Sequence, residues 1–208
     1  VTQGSGLTAI GNEALENFPG DRNTAVGSIA MFASNGGGGN DNVGVGDGAG
    51  SYMAGYNNVV VGQAAFQGGF SGDYDHGGDN NVFIGSRSAR DVQGSTTSNN
   101  VMLGYQTGLS LRNGSSNIII GANVDVSGAN AANEMNIGNV IYGSGMYNAG
   151  AHIGINNSTP NAALDVTGDI EYTGTLTDVS DMRLKKDIAP LDANEIIGRL
   201  SQIDTYSF

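Results

Sequence analysis

Asp73, Asp75 and Asp79 share one glycine-rich loop, and Gly77 between them offers a turn. Three carboxylates at that spacing are loosely arranged like an oxygen-rich calcium loop. The twelve-residue version of such a loop closes on a glutamate, which this stretch lacks. A solvated acidic loop accounts for the same residues. Tyr74 and His76 lie among the aspartates, so the candidate ligand-binding set is Asp73, Tyr74, Asp75, His76 and Asp79. Gly44-Val-Gly-Asp-Gly-Ala-Gly50 superficially suits a dinucleotide fingerprint, but no strand–helix–strand unit surrounds it. Phe66, Phe70, Tyr74, Tyr105, Tyr142 and Tyr147 offer faces for sugar stacking, or core packing where they flank strands. No spacing singles out a carboxylate pair for glycoside cleavage, although such a pair is assembled in space. Cysteine is absent and the two histidines, His76 and His152, are far apart, so disulfides are excluded and a histidine zinc site is not expected. No cofactor is expected.

Composition narrows the classes further. The chain has 208 residues, with 35 Gly, 24 Asn and 3 Pro. Charged residues make up 13%, about half the usual share. The net charge of −12, from 20 acidic and 8 basic residues, argues against nucleic acid or an anionic membrane as partner. No apolar run approaches the ~20 residues of a membrane helix. Both lysines, Lys185 and Lys186, lie near the C-terminal end, as do Arg183 and Arg199, so that end reads as a separate module.

What must position any site is a repeat. Strand-like runs ending in glycine recur: Asn23-Thr-Ala-Val-Gly27, Asn42-Val-Gly-Val-Gly46, Asn58-Val-Val-Val-Gly62, Asn81-Val-Phe-Ile-Gly85, Asn100-Val-Met-Leu-Gly104 and Asn117-Ile-Ile-Ile-Gly121. Weaker copies end at Gly11, Gly138 and Gly154. The glycines are 16, 19, 16, 23, 19, 17, 17 and 16 residues apart, about 18 on average. A small residue returns three positions later, as in Ala30, Ala49, Ala65, Ser88 and Thr107. Each unit reads as a β-branched strand, a glycine corner, a small-residue segment and a Gly/Asn/Ser loop. The asparagine before each strand either bonds its own backbone or stacks in a ladder with the next coil.

One such unit buries too little to fold alone, so the expected fold is all-β, a repetitive parallel β-roll or β-solenoid. The second segment, mostly Ala and Gly, makes a thin core. Several columns packing together, most economically as an intertwined homotrimer, is the expectation; a monomeric β-solenoid is the alternative. Residues 1–127 read as the shaft, 128–178 as terminal coils and a β neck, and 179–208 as the start of a further domain. Variable loops, above all 34–41 and 68–80, are where binding is expected on a rigid scaffold.

The Asn-x-Val-x-x-Gly units resemble head repeats of trimeric bacterial adhesins, and still more the Asn-Thr-Ala-Val-Gly repeats of bacteriophage tail fibres, over about residues 7–125. That resemblance implies a left-handed coil and a trimer. His152-Ile-Gly-Ile-Asn-Asn-Ser-Thr-Pro-Asn-Ala-Ala-Leu-Asp-Val-Thr-Gly168 resembles the segment that often precedes an endosialidase-type chaperone domain. From its residues alone it reads as one more coil, a proline turn and a strand with Ala163, Leu164 and Val166. Asp169 to Thr177 alternates and suggests another strand, in the neck.

Ser180-Asp-Met-Arg-Leu-Lys-Lys-Asp-Ile188 resembles the start of the intramolecular chaperone of phage tailspikes and fibres, the S74 peptidase family. The resemblance implies a domain that helps the trimer assemble and then cuts itself off. It assigns Ser180 and Lys185 as a catalytic dyad, with autocleavage at the Ser180–Asp181 bond. A lysine serves as base once burial lowers its pKa from about 10.4. The match spans the start of that domain only, so the implied enzymology is at most autoproteolytic. Leu191 to Ile203 then reads as a short helix with Ile196, Ile197, Leu200 and Ile203 on one face, and Thr205–Phe208 as the start of a strand.

The function these resemblances imply is a structural, receptor-binding fibre segment of a phage tail, facing outward on the virion. Its partners would be two further copies, other tail proteins and a host-surface glycan or protein. The alternatives are a polysaccharide-degrading tailspike and a bacterial trimeric surface adhesin.

Overall fold

The computed structural model describes residues 4–33, 38–68, 76–94, 96–146, 148–175 and 193–200. The chain divides into two compact units, Val1–Asp169 and Ile170–Phe208. The first is almost all β and is organised as a β-solenoid.

Its strands are three residues long at nearly every coil: β1 Thr8–Ile10, β2 Thr24–Val26, β3 Val43–Val45, β5 Val59–Val61, β7 Val82–Ile84, β8 Val101–Leu103, β9 Ile118–Ile120 and β10 Met135–Ile137. Each pairs in parallel with the next, so a strand recurs once per turn of the chain. Register is locked one repeat to the next: Val60 lies opposite Phe83, Phe83 opposite Met102, and Met102 opposite Ile119. From β2 on, the middle residue of each strand points in and its two neighbours point out, the alternation a pleated strand imposes. Two short strands, β4 Met53–Ala54 and β6 His76–Gly77, form a second parallel pair on another side of the coil.

The ladder is the alternative that forms. Asn23, Asn42, Asn58, Asn81, Asn100 and Asn117 are all fully buried. From Asn42 on, each backbone N–H donates to the side-chain oxygen of the asparagine one coil earlier: Asn81 to Asn58 at 2.9 Å, Asn100 to Asn81 at 2.9 Å, Asn117 to Asn100 at 3.0 Å. The Asn81 amide then donates to Asn58 Oδ1 and to Thr97 O, at 3.0 and 2.7 Å. Among the described residues no buried side-chain polar atom is left unpaired. An unpaired buried amide would cost about 1–3 kcal/mol, so these asparagines are compatible with burial only as a stack.

After each strand the corner glycine admits the next coil. Gly85 sits at φ +134°, and a Cβ there would collide with the Gly104 carbonyl of the following coil. Beyond the corner the backbone alternates hands, with Arg87 and Ala89 both at positive φ. Their N–H groups reach opposite neighbouring coils. Arg87 donates back to Gln63 O at 2.9 Å and Ala89 forward to Thr107 O at 2.8 Å.

The core closes within one chain. Leu15, Phe18, Met31, Met53, Phe66, Phe83, Met102, Leu111 and Ile119 are fully buried or nearly so. The second segment contributes Leu15, Met31 and Phe66 to it as well as the expected Ala and Gly. A thin core therefore does not by itself demand further copies.

The parallel run continues through Ile137, past the expected shaft boundary at residue 127. It then reverses. β11 Ile141–Ser144 runs antiparallel to β10, β12 His152–Ile155 antiparallel to β11, and β13 Leu164–Val166 parallel to β12. The copy ending at Gly154 is therefore not another coil: Gly154 lies inside β12, opposite Tyr142 on an antiparallel neighbour. The strand after the proline turn forms, without Ala163 and with Leu164 exposed.

In the second unit α1, Ala193–Leu200, forms where a helix was expected, with Ile197 exposed. The strand expected over 169–177 is not formed across 169–175, where every residue is exposed. Among the described residues no strand pairs with its backbone, and Ile170 and Tyr172 are exposed. The expected strand at Thr205–Phe208 lies outside the described residues. No helix among the described residues is long and apolar enough to cross a membrane.

Candidate functional site

The sequence offered two sites. Ser180, Asp181 and Lys185 lie outside the described residues, as do Asp73, Tyr74 and Asp75. What the structure places is the end of the acidic loop. His76 and Gly77 are in β6, paired with Met53 and Ala54, so Gly77 extends a strand rather than making a turn. Asp79 is the next anchor. Its carboxylate accepts the Tyr56 N–H at 2.9 Å, its own N–H donates to Ser98 Oγ at 3.0 Å, and its carbonyl accepts the Asn99 N–H at 2.9 Å. That side chain belongs to a second ladder beside the buried asparagines, continued by Ser115 Oγ, which accepts the Ser98 N–H at 3.2 Å. Among the described residues no three His, Cys, Asp or Glu side chains cluster closely enough to hold a metal.

The same outer ladder begins with charges. Asp21 accepts the Ser5 N–H at 2.7 Å and the Ser5 hydroxyl at 3.1 Å, and these bonds hold its carboxyl below the ordinary aspartate range. Arg22 grips Asp41 through both carboxylate oxygens, at 2.6 and 2.7 Å. That fork lowers the Asp41 pKa and raises that of Arg22. Both groups sit at the surface and join neighbouring coils.

The aromatic candidates separate. Phe66 and Phe83 are core, their ring centroids 5.0 Å apart. Tyr105 flanks a strand yet is 47% exposed, because the residue after each corner glycine points outward; its expected core role is corrected. Phe70, Tyr74 and Tyr147 lie outside the described residues. The glycines of Gly44–Gly50 occupy the strand, corner and alternating positions of one ordinary coil, which removes any need for a nucleotide.

Sequence reasoning missed a cavity of about 330 Å³ where the solenoid meets its antiparallel end. Asp125, Glu134, Asn136, Asn139 and Tyr142 line it. These five polar side chains are already engaged. Asp125 binds the N–H and hydroxyl of Ser110, and Glu134 those of Ser127. Asn136 Nδ2 donates to Asp125 O and Asn139 Oδ1, both at 3.0 Å, and the Tyr142 hydroxyl donates to Asn139 O at 2.8 Å. A legible signal was present: Glu134 stands where every preceding coil from β2 onward has asparagine. Its N–H still donates to Asn117 Oδ1, at 3.0 Å, but its carboxylate turns to Ser127 and the stack of amides ends.

No family model matches the sequence, and no solved structure matches the chain.

Proposed function

We propose that this chain is a structural, receptor-binding segment of a bacteriophage tail fibre, carried as a homotrimer on the outward side of the virion. It attaches to a host cell-surface glycan. The observation that carries the proposal is the register-locked stack from β1 to β10, which holds successive loops at fixed heights along one rigid column. Three such columns multiply weak loop contacts by effective concentration, with no new chemistry at any one loop. The segment from 179 onward is, on its resemblance, the start of an intramolecular chaperone. There Ser180 would act as nucleophile and Lys185 as base, with scission at Ser180–Asp181. The polysaccharide-degrading reading gains no support from Asp125 and Glu134, since each carboxylate is held by its own serine.

The test is retention of a panel of purified bacterial surface polysaccharides by the immobilised full chain, with reducing ends counted in parallel. Saturable retention of one polysaccharide class without new reducing ends is expected. Retention of none overturns the glycan reading, and release of reducing ends replaces attachment by degradation.

A further inference from the structure

The cavity at the end of the solenoid exists because the chain reverses there. β10 is followed by an antiparallel β11 instead of another parallel strand, so the regular coils stop at Glu134 and Asn136. Backbone pairing sets its walls: Met135 lies opposite Gly143 and Asn136 opposite Tyr142, while Ser158 lines it from the loop between β12 and β13. The bonds that hold its polar side chains leave part of their capacity open. A carboxylate accepts about four hydrogen bonds. Asp125 already accepts from the Ser110 N–H and hydroxyl and from the Val126 N–H. Among the described residues Glu134 accepts only from Ser127, one bond on each oxygen. Asn136 Oδ1 accepts only the Asn139 N–H there, and Asn139 Nδ2 donates to no group. Val126, Met135 and Tyr142 add apolar surface, and no Lys, Arg or His lines the cavity.

We infer that this cavity is a saccharide-binding site that takes an uncharged sugar unit of the surface glycan. The inference rests on the attachment reading above and gives it a location and a ligand class. A pyranose carries hydroxyl groups around its rim and C–H groups on its face. The open acceptors of Glu134 and Asn136 suit the hydroxyl donors, and bonds to the carboxylate are charge-assisted. Asn139 Nδ2 supplies a donor for a hydroxyl or ring oxygen, and the apolar lining suits the C–H face. Other ligands fit less well. Two carboxylates with no cation among the lining residues repel a uronate, a sialic acid or a phosphate. A divalent cation prefers a denser set of acidic oxygens, and no three such side chains cluster among the described residues. The volume of about 330 Å³ sits at the small end of ligand sites, roughly 300–1,000 Å³, and so suits a short stretch of glycan. Each carboxylate is pinned by its serine before any ligand arrives, so binding orders few side chains.

The test has two arms on the full chain. In the first, methyl glycosides of the neutral hexoses and N-acetylhexosamines are titrated while backbone amides are followed by NMR, with methyl glucuronoside as the charged comparison. At least one neutral glycoside is expected to shift the amides of Glu134, Asn136, Asn139 and Tyr142 saturably, and the glucuronoside to leave them in place. No shift with any neutral glycoside overturns the site, and shifts with the glucuronoside alone overturn the ligand class. In the second arm, the polysaccharide that the unaltered chain retains is offered to Glu134→Gln, to Ser158→Trp, which fills the cavity from its rim, and to Gln63→Ala on a distant coil. Half-saturation is expected to rise about tenfold or more for Glu134→Gln, as loss of a charged acceptor implies. Retention is expected to vanish for Ser158→Trp and to stay unchanged for Gln63→Ala. Unchanged retention by both cavity variants overturns the site and leaves attachment standing, whereas an unaltered chain that retains no polysaccharide overturns attachment itself. The first arm needs no variant, so a variant that fails to fold does not shelter the proposal.

Discussion

The solenoid from Thr8 to Ile137 and the antiparallel end from Ile141 to Val166 belong to one sheet and one compact unit, yet different forces hold them. In the solenoid from β2 on, each strand turns one residue fully or almost fully inward and is preceded by a side-chain amide that bridges coils, down to Asn117. In the antiparallel end Leu164 is 58% exposed and the glycines Gly143 and Gly154 occupy inward-facing strand positions. The contrast shows that a narrow core suffices when polar groups are buried as a continuous, fully paired stack. It also locates the change. One coil after the last ladder asparagine, Glu134 sends its side chain to Ser127, and the strand that follows is paired on its far side by a reversed neighbour.

Truncating a core ring should separate the two regions most. Phe83→Ala removes a fully buried ring stacked on Phe66 and is expected to cost about 4 kcal/mol, against under about 0.5 kcal/mol for Leu164→Ala, by urea unfolding. Next is the ladder. Asn81→Ala leaves the Asn100 N–H and Thr97 O without their amide partner, and is expected to cost about 3 kcal/mol. The same change at exposed Asn130 is expected to fall within about 0.5 kcal/mol. Equal costs at Asn81 and Asn130 would erase the distinction.

Smaller and opposite in sign is Ile29→Asn. Ile29 holds φ +56° on the outside of its coil, a conformation that a β-branched residue resists and asparagine tolerates. A gain of about 1 kcal/mol is expected in the same urea experiment. Smallest is the effect of acid on the first coils. Asp21 and Asp41 have folded pKa values below their ordinary 3.8, so their contribution is complete above that value and is lost as pH falls through the lowered ones. Amide exchange at Ser5, Arg22 and Asp41 should therefore be unchanged between pH 6 and 5 once corrected for intrinsic rate, and should quicken as pH falls below the ordinary 3.8, with the Asn58–Asn117 stack unaffected.

The repeat and its strands were legible because period and β-branching report local geometry directly. The ladder was legible as one of two options, since an asparagine before a strand bonds locally or across coils, and only the stack's burial decides. Gly154 misled because an Ile-Gly-Ile triplet reads alike in parallel and antiparallel strands. Tyr105 misled because the corner turns the next side chain outward, a fact of backbone handedness that residue type does not carry. The engagement of Asp79 with Tyr56 was hidden for a similar reason: an acidic loop residue and a cross-coil anchor have the same spelling.

The asparagine stack is the weld between coils, and amide hydrogen exchange by NMR reads it directly. The backbone N–H groups of Asn42, Asn58, Asn81, Asn100 and Asn117 are predicted to exchange with the slowest class, together with Phe83 and Met102, and well after those of Ile153 and Thr167. Exchange of the five asparagines as fast as Ile153 and Thr167 would contradict it.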